Sequence, residues 1–117
     1  MAGSKSTLPE TDVAAIRRYC EDKIPAEHRN EVRVEYETRG NNVTLLECRP
    51  PWDPELGPDW ARQPIAQLRF DPRSTRWRLY CADGNGRWHA YDELPPTKIL
   101  DELLAEIDDD PTGIFWG

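Results

Sequence analysis

Residues 76–91 read RWRLYCADGNGRWHAY, in which two segments of alternating apolar and polar residues flank a turn containing Asn85 and Gly86. An Asn-Gly pair between alternating segments is the strongest short-range signal for a β-hairpin, because both residues tolerate the positive φ of a tight turn. The pattern therefore predicts two adjacent antiparallel strands. Their register determines which side chains face the core and which face solvent.

The turn is compatible with two registers. A two-residue turn at Asn85-Gly86 sets Tyr80 opposite Tyr91, and a turn one residue earlier sets Tyr80 opposite His89. Both registers divide the hairpin into the same two sides, because side chains alternate along each strand. The apolar side, which is predicted to face the core, consists of Trp77, Leu79, Cys81, Trp88 and Ala90.

The other side of the hairpin is cationic and aromatic, and Arg69 of the preceding strand can extend it. Its members are Arg76, Arg78, Tyr80, Arg87, His89 and Tyr91. Acidic groups of the same chain, namely Glu35, Glu37 or the run 108–110, could neutralise these arginines, because a mixed charged surface is typical of the solvent side of a sheet. Alternatively, this side receives an anionic or aromatic partner through bidentate and stacking contacts.

The rest of the chain combines helical and strand patterns. Apolar residues recur at helical spacing in 13–24 and 99–107 and follow strand spacing in 31–39, 43–49 and 65–70. Short turns between consecutive strands favour an antiparallel meander. The predicted fold is α+β, a five-stranded antiparallel meander with an N-terminal and a C-terminal helix packed on one face. We predict a disordered N-terminus over residues 1–6 and a single domain over residues 7–117.

Charge is unevenly distributed along the 117 residues. The formal net charge of −7 disfavours general affinity for nucleic acids or anionic membranes. Residues 62–91 nonetheless hold six arginines against two aspartates, whereas residues 92–117 hold eight acidic residues against one lysine. Contact between the basic and the acidic region, within one chain or between two copies, is a hypothesis that follows from this distribution.

The three cysteines, Cys20, Cys48 and Cys81, are far apart in the sequence and odd in number. No apolar segment is long enough for a signal peptide or a membrane span. These features favour free thiols, a reducing cytoplasmic location and no membrane partner.

The sequence contains none of the common catalytic or metal-binding motifs. It has no glycine-rich phosphate loop before a helix, no CxxC and no HExxH. Cys48, Cys81 and His89 have metal-ligating side chains, but both registers place Cys81 and His89 on opposite faces of the sheet. The same geometry argues against a cysteine–histidine nucleophilic pair. We therefore predict no catalytic residue, no metal site and no cofactor.

The loop PPWDPELGPDW between the second and third strands is a second candidate site, because long loops often carry function. Trp52 and Trp60 either pin this loop to the sheet or line a pocket at the sheet edge. The loop carboxylates cap turns, or Asp53 or Asp59 acts with His89 in a small enzyme.

The chain ends with DPTGIFWG, in which Ile114, Phe115 and Trp116 lie close to the terminus. Termini are usually hydrated, so this tail either docks on its own domain or binds another chain. Docking on its own domain is favoured, because two exposed aromatic side chains promote aggregation.

Six short parts of the sequence share an unusual spacing of aromatic residues. They are RPPW at 49–52, Trp60, PIAQLRF at 64–70, WRLY at 77–80, RWHAY at 87–91 and the terminal DPTGIFWG. Together they resemble a bacterial family of small proteins, the domain of unknown function DUF3024. The resemblance implies a small soluble bacterial protein, and it supplies no activity or catalytic residues.

We interpret the chain as a non-enzymatic binding or adaptor module whose partner is an acidic protein segment, such as the C-terminal region of a second copy in a homodimer. The predicted binding residues are Arg76, Arg78, Tyr80, Arg87, His89 and Tyr91, supported by Trp52 and Trp60. Single-stranded nucleic-acid binding on the same side is an alternative, although the acidic helix argues against it. A small enzyme that uses loop carboxylates with His89 is the third hypothesis.

Overall fold

A computed structural model describes residues 8–53, 55 and 57–116. Its elements are α1 Glu10–Lys23, a 3-10 turn Ala26–His28, β1 Arg33–Arg39, β2 Asn42–Arg49, β3 Ala61–Asp71, β4 Arg76–Ala82, β5 Trp88–Ala90 and α2 Leu100–Asp109. The five strands lie side by side in chain order, and each pair is antiparallel. The predicted α+β meander is therefore confirmed. The predicted disordered segment 1–6 and the predicted domain start at residue 7 lie outside the described residues.

Both helices cover the same side of the sheet. The buried residues of α2 are Leu100, Leu103, Leu104 and Ile107, a spacing that forms one apolar stripe on a helix. α1 buries Ile16 and Cys20, and these side chains join the α2 stripe and sheet residues such as Leu45 in one core cluster. We call this side of the sheet the helix side and the opposite side the open face. No helix in the described part of the chain has the length and apolar character needed to cross a bilayer.

Alternation along the strands assigns side chains to the two sides. Leu68 of β3 pairs with Leu79 of β4 on the helix side, and both are completely buried. One residue further along each strand, Arg69 pairs with Arg78 on the open face. The predicted core positions Trp77, Leu79 and Cys81 are buried, so the division of β4 into an apolar and a cationic side is confirmed.

The turn between β4 and β5 differs from both predicted registers. Gly86 donates its backbone N–H to the Asp83 carbonyl at 3.0 Å, and Asp83 donates its own to the Arg87 carbonyl at 2.9 Å. Asp83 and Arg87 therefore close a loop of three residues, with Gly86 at a φ of +79°. The resulting cross-strand pairs are Tyr80 with Ala90, Cys81 with His89 and Ala82 with Trp88.

This shift of one residue exchanges the two sides of β5 relative to β4, because side chains alternate with a period of two. Tyr91, predicted to lie on the cationic side, is 4% exposed and belongs to the core cluster. Its hydroxyl donates to Glu106 Oε2 of α2 at 2.7 Å. His89 also belongs to the helix side, whereas Trp88 and Ala90, predicted to be core residues, lie on the open face. The predicted register of β5 was therefore wrong.

The C-terminal tail docks on its own domain, which is the outcome that the sequence favoured. The carboxylate of Asp110 accepts hydrogen bonds from the backbone N–H groups of Phe115 at 3.0 Å and Trp116 at 2.8 Å. Phe115 is 5% exposed, and its ring centroid lies 5.1 Å from that of Tyr91. The Trp116 indole N–H donates to the Ile107 carbonyl at 2.9 Å. The tail therefore extends the core beyond the end of α2.

We expect the cysteines of the folded protein to resist a thiol reagent at mildly alkaline pH. Cys20, Cys48 and Cys81 are free and buried. Burial raises the pKa of all three thiols, that of Cys20 to about 12, and the thiolate is the reactive form. Ellman's reagent should release almost no chromophore from the native protein and the full amount after unfolding. Rapid reaction of any of these thiols before unfolding would contradict the described burial.

Candidate functional site

The open face carries a compact group of cationic and aromatic side chains on β3 and β4. We call this group, Arg69, Arg76, Arg78 and Tyr80, the arginine–tyrosine face. Its members share one side because Arg69 pairs directly with Arg78, and Arg76 and Tyr80 lie two residues from Arg78 on the same strand. Two like charges directly opposite each other destabilise an antiparallel pair. The Arg69–Arg78 pair therefore needs compensation from its surroundings.

Stacking on Tyr80 provides part of this compensation. The guanidinium carbon of Arg69 lies 3.9 Å from the centroid of the Tyr80 ring, and that of Arg78 lies 6.0 Å from it. A cation over an aromatic ring is attracted to the negative face of the ring. Arg69 Nε also donates to Gln67 Oε1 at 2.7 Å, and Gln67 is anchored by a 3.0 Å hydrogen bond to Thr44. These contacts fix the orientation of the forked Arg69 guanidinium group before any partner binds.

Most of the acidic residues that could have neutralised the arginine–tyrosine face are engaged elsewhere, and the remaining one, Asp109, forms no ion pair with the face. Glu35 and Glu37 both pair with Arg62, at 3.6 Å and 2.8 Å. Asp108 accepts a 2.8 Å hydrogen bond from Lys23, and this bond holds the pKa of the Asp108 carboxyl below its ordinary value. Neither predicted source of internal neutralisation therefore reaches the face.

Only weak neutralisation is present at the face itself. Arg78 Nη2 lies 3.3 Å from Asp92 Oδ1, but the Asp92 side chain is 81% exposed. An exposed pair of this kind contributes little net stability. Arg76 has no ion pair and no side-chain hydrogen bond with any residue in the described ranges. The face therefore keeps an uncompensated positive charge.

A surface pocket of about 350 Å³ opens at this end of the sheet. It is lined by Arg69, Phe70, Asp71, Ser74, Arg76, Arg78, Tyr80 and Pro96. The lining combines three guanidinium groups with an aromatic ring and a proline, so the pocket has both charged and apolar walls. This volume lies at the lower end of the range for small-ligand sites.

Only part of the predicted binding set lies together. Arg76, Arg78 and Tyr80 share the open face and line the pocket. His89 and Tyr91 belong to the helix side, and Arg87 lies in the turn before β5. The predicted six-residue surface on the hairpin is therefore divided between two sides of the sheet.

Trp60 lies at the opposite end of β3 from the pocket, and Trp52 follows the end of β2 that pairs with this part of β3. Trp60 precedes the first residue of this strand, and Arg69 follows nine residues later, which corresponds to roughly 30 Å of extended chain. The Trp60 ring stacks under Arg33 at 4.1 Å, and Trp52 is 87% exposed. Neither tryptophan therefore supports the arginine–tyrosine face directly.

The structure also corrects the predicted separation of Cys81 and His89. They are cross-strand neighbours on the same side, and the Cys81 thiol lies 3.6 Å from the His89 carbonyl oxygen. The imidazole Nε2 instead contacts Asp83 Oδ2 at 2.7 Å. Across residues 8–53, 55 and 57–116, no three histidine, cysteine or acidic side chains come together as metal ligands would.

The loop carboxylate Asp53 has a local contact. Its Oδ1 accepts the backbone N–H of Glu55 at 3.0 Å, which is a turn-capping interaction. The contacts of Asp53 and His89 therefore lie within their own turns. The hypothesis of a small enzyme that uses both groups stays a prediction.

Three residues near the site were not assigned to it from the sequence. Trp88 lies on the open face opposite Ala82, next to Tyr80 along the strand pair. Ser74 and Pro96 line the pocket. The Asp71-Pro72-Arg73-Ser74 turn directly follows β3, which carries Arg69 of the cationic side. The position of this turn in the sequence could therefore have indicated that Ser74 lies near the site. Nothing in the local sequence places Pro96 beside β4.

Comparison with known families agrees with the resemblance carried by the sequence. Residues 4–117 match the family described as Domain of unknown function (DUF3024), so the chain belongs to this family. No curated protein and no solved structure gives a significant match. Because the family description assigns no activity, functional inference rests on the chemistry of the open face.

Proposed function

We propose that this DUF3024 protein is a non-enzymatic binding module that holds an acidic protein segment on its arginine–tyrosine face. The observation that supports this proposal most directly is the uncompensated charge of the face, where Arg76 forms no ion pair with any described residue. Arginine forks suit planar carboxylates, because each fork can donate two parallel hydrogen bonds. An acidic segment would supply the charges that the chain itself does not.

The stacking geometry favours carboxylates over nucleotide bases. The Arg69 guanidinium covers one side of the Tyr80 ring at 3.9 Å. A base that stacked on that side would have to displace a cation already held by Gln67. Carboxylates can instead approach the exposed edges of the guanidinium groups without disturbing the stack. Single-stranded nucleic acid is therefore the weaker of the two binding functions.

A second copy of the chain is one proposed source of the acidic segment. Asp109 is exposed and has no partner among the described residues, whereas Asp108 and Asp110 are engaged within their own chain. We also propose the bacterial cytoplasm as the compartment, because the three buried cysteines are free thiols.

Charge reversal at Arg76 is expected to weaken the binding of a labelled oligoglutamate peptide by about tenfold or more, since hydrogen bonds to charged groups contribute about 1.5–3 kcal/mol. Fluorescence anisotropy of the peptide measures the dissociation constant. Arg18→Glu is the matched control, because Arg18 is exposed on α1 and the substitution changes the net charge equally. The control should bind like the unmodified protein.

Two further measurements complete this test, namely the salt dependence of peptide binding and the binding of an oligonucleotide probe. Raising the ionic strength from about 0.01 M to about 0.15 M shortens the Debye length from about 30 Å to about 8 Å, so peptide binding should weaken. An equal loss of peptide affinity in Arg76→Glu and Arg18→Glu would indicate a general charge effect and would refute the proposed site. Tighter binding of a labelled oligothymidylate than of the peptide would replace the proposal with the nucleic-acid alternative.

A further inference from the structure

We infer that the pocket at the end of the arginine–tyrosine face accepts a phosphate monoester, so that the partner segment is a phosphorylated one. This inference rests on the proposed function and specifies the group that the pocket takes. It starts from the convergence of Arg69, Arg76 and Arg78 on one pocket of about 350 Å³. The three arginines come from two adjacent strands and face the same side of the sheet.

The number and placement of the guanidinium groups match a phosphate better than a carboxylate. A carboxylate has two oxygens and one negative charge, so a single arginine fork satisfies it. A phosphate monoester carries close to two negative charges at neutral pH and three acceptor oxygens. It can therefore bridge several forks and neutralise the Arg69–Arg78 pair, whose like charges lie directly opposite each other.

The one acidic side chain of the pocket lining is engaged in its own turn. Asp71 Oδ1 accepts the backbone N–H of Arg73 at 2.9 Å, and Oδ2 accepts the Ser74 hydroxyl at 3.1 Å. Asp71 pairs with Arg76 in the strand register, but no ion pair joins their side chains. The carboxylate therefore orders the turn and leaves the Arg76 fork available to an anion.

The apolar walls favour a phosphate that is attached to a chain over a free ion. Tyr80 and Pro96 contribute rings to the lining. A free inorganic phosphate would leave these walls uncovered, whereas a phosphorylated side chain brings methylene groups and backbone that can pack against them. The chemistry of the pocket therefore fits a phosphorylated peptide segment.

The test compares three synthetic peptides that differ at one position, which is phosphoserine, glutamate or serine. Isothermal titration calorimetry with the full chain should give about tenfold tighter binding of the phosphoserine peptide than of the glutamate peptide. Arg76→Gln should abolish this difference. Arg73→Gln is the matched control in the same region, because Arg73 is an exposed turn residue outside the pocket lining, and it should preserve the difference.

The outcomes separate this inference from the proposed function. Equal affinity for the phosphoserine and glutamate peptides would overturn the inference while leaving the acidic-segment proposal intact. Absence of binding by both would overturn the two together. If inorganic phosphate alone competes with the same affinity as the phosphoserine peptide, the site takes a free anion and the inference of a phosphorylated segment fails. Circular dichroism of each variant verifies that it is folded.

Discussion

Trp77→Ala is expected to destabilise the folded protein by about 3–5 kcal/mol, which corresponds to a fall in melting temperature of roughly 10–20 °C. The Trp77 side chain is 0% exposed, and its ring centroid lies 5.0 Å from that of Phe70. Its indole N–H donates to Asp12 Oδ2 at 2.8 Å and thereby connects β4 to α1. Alanine removes the packing and also leaves the Asp12 carboxylate without this donor.

Two further variants identify the source of the effect. Trp77→Phe keeps an aromatic ring but loses the indole N–H, so a smaller loss of about 1–2 kcal/mol is expected, and this variant should fold. Trp52→Ala removes the same side chain from a position that is 87% exposed, and it should change stability by less than about 0.5 kcal/mol. Urea unfolding followed by circular dichroism measures all three. Equal losses at Trp52 and Trp77 would contradict the described core.

The fold class was predictable because each long element has a clear periodicity. The four buried residues of α2 follow helical spacing in the sequence, and the buried and exposed residues of β4 alternate. These patterns are local, and they identify the element and its buried face together. Short turns between the strands then leave a meander as the simplest topology.

The register of β5 was not predictable from the same patterns. The turn is closed by the Asp83 carboxylate, whose Oδ1 accepts the backbone N–H groups of Asn85 at 2.8 Å and Arg87 at 3.0 Å. These bonds select a three-residue loop over the two-residue loop that an Asn-Gly pair favours. Trp88 and Tyr91 then lie on the sides opposite to those predicted. Both side chains tolerate either side, because each combines a large apolar ring with one polar N–H or O–H group. The partner that makes Tyr91 a core residue, Glu106, lies on α2 and is remote in sequence.

The candidate site could be predicted only in part for a related reason. The positions of Arg76, Arg78 and Tyr80 on one side follow from alternation alone. Whether their charge is neutralised depends on contacts between distant parts of the chain, such as the Lys23–Asp108 pair. Such contacts leave no local signal. The pocket likewise requires Pro96 to lie beside β4, which follows from the bridge between Thr97 and Trp77.

Phe115→Ala is expected to destabilise the protein by about 3 kcal/mol or more, a large effect for a residue so close to the C-terminus. The Phe115 ring is 5% exposed and packs on Tyr91. Burial, and then the hydrogen bond to Glu106, raises the pKa of Tyr91 to about 12. Loss of the Phe115 ring should admit water to this site, so the pKa of Tyr91 should fall toward its ordinary value of about 10. Thermal unfolding and a spectrophotometric tyrosine titration measure the two effects.

Ile114→Ala is the matched control in the tail, because Ile114 is 46% exposed and should contribute much less to stability. The concentration dependence of unfolding separates docking within the chain from docking on a second copy. If the tail packs on its own domain, Phe115→Ala should leave any dependence of the melting temperature on protein concentration unchanged, because the tail then takes no part in an association step. A melting temperature that rises with concentration in the unmodified protein and loses this dependence in Phe115→Ala would show that the tail binds in trans. That result would supply a dimer interface through the tail and would leave the arginine–tyrosine face free for a different partner.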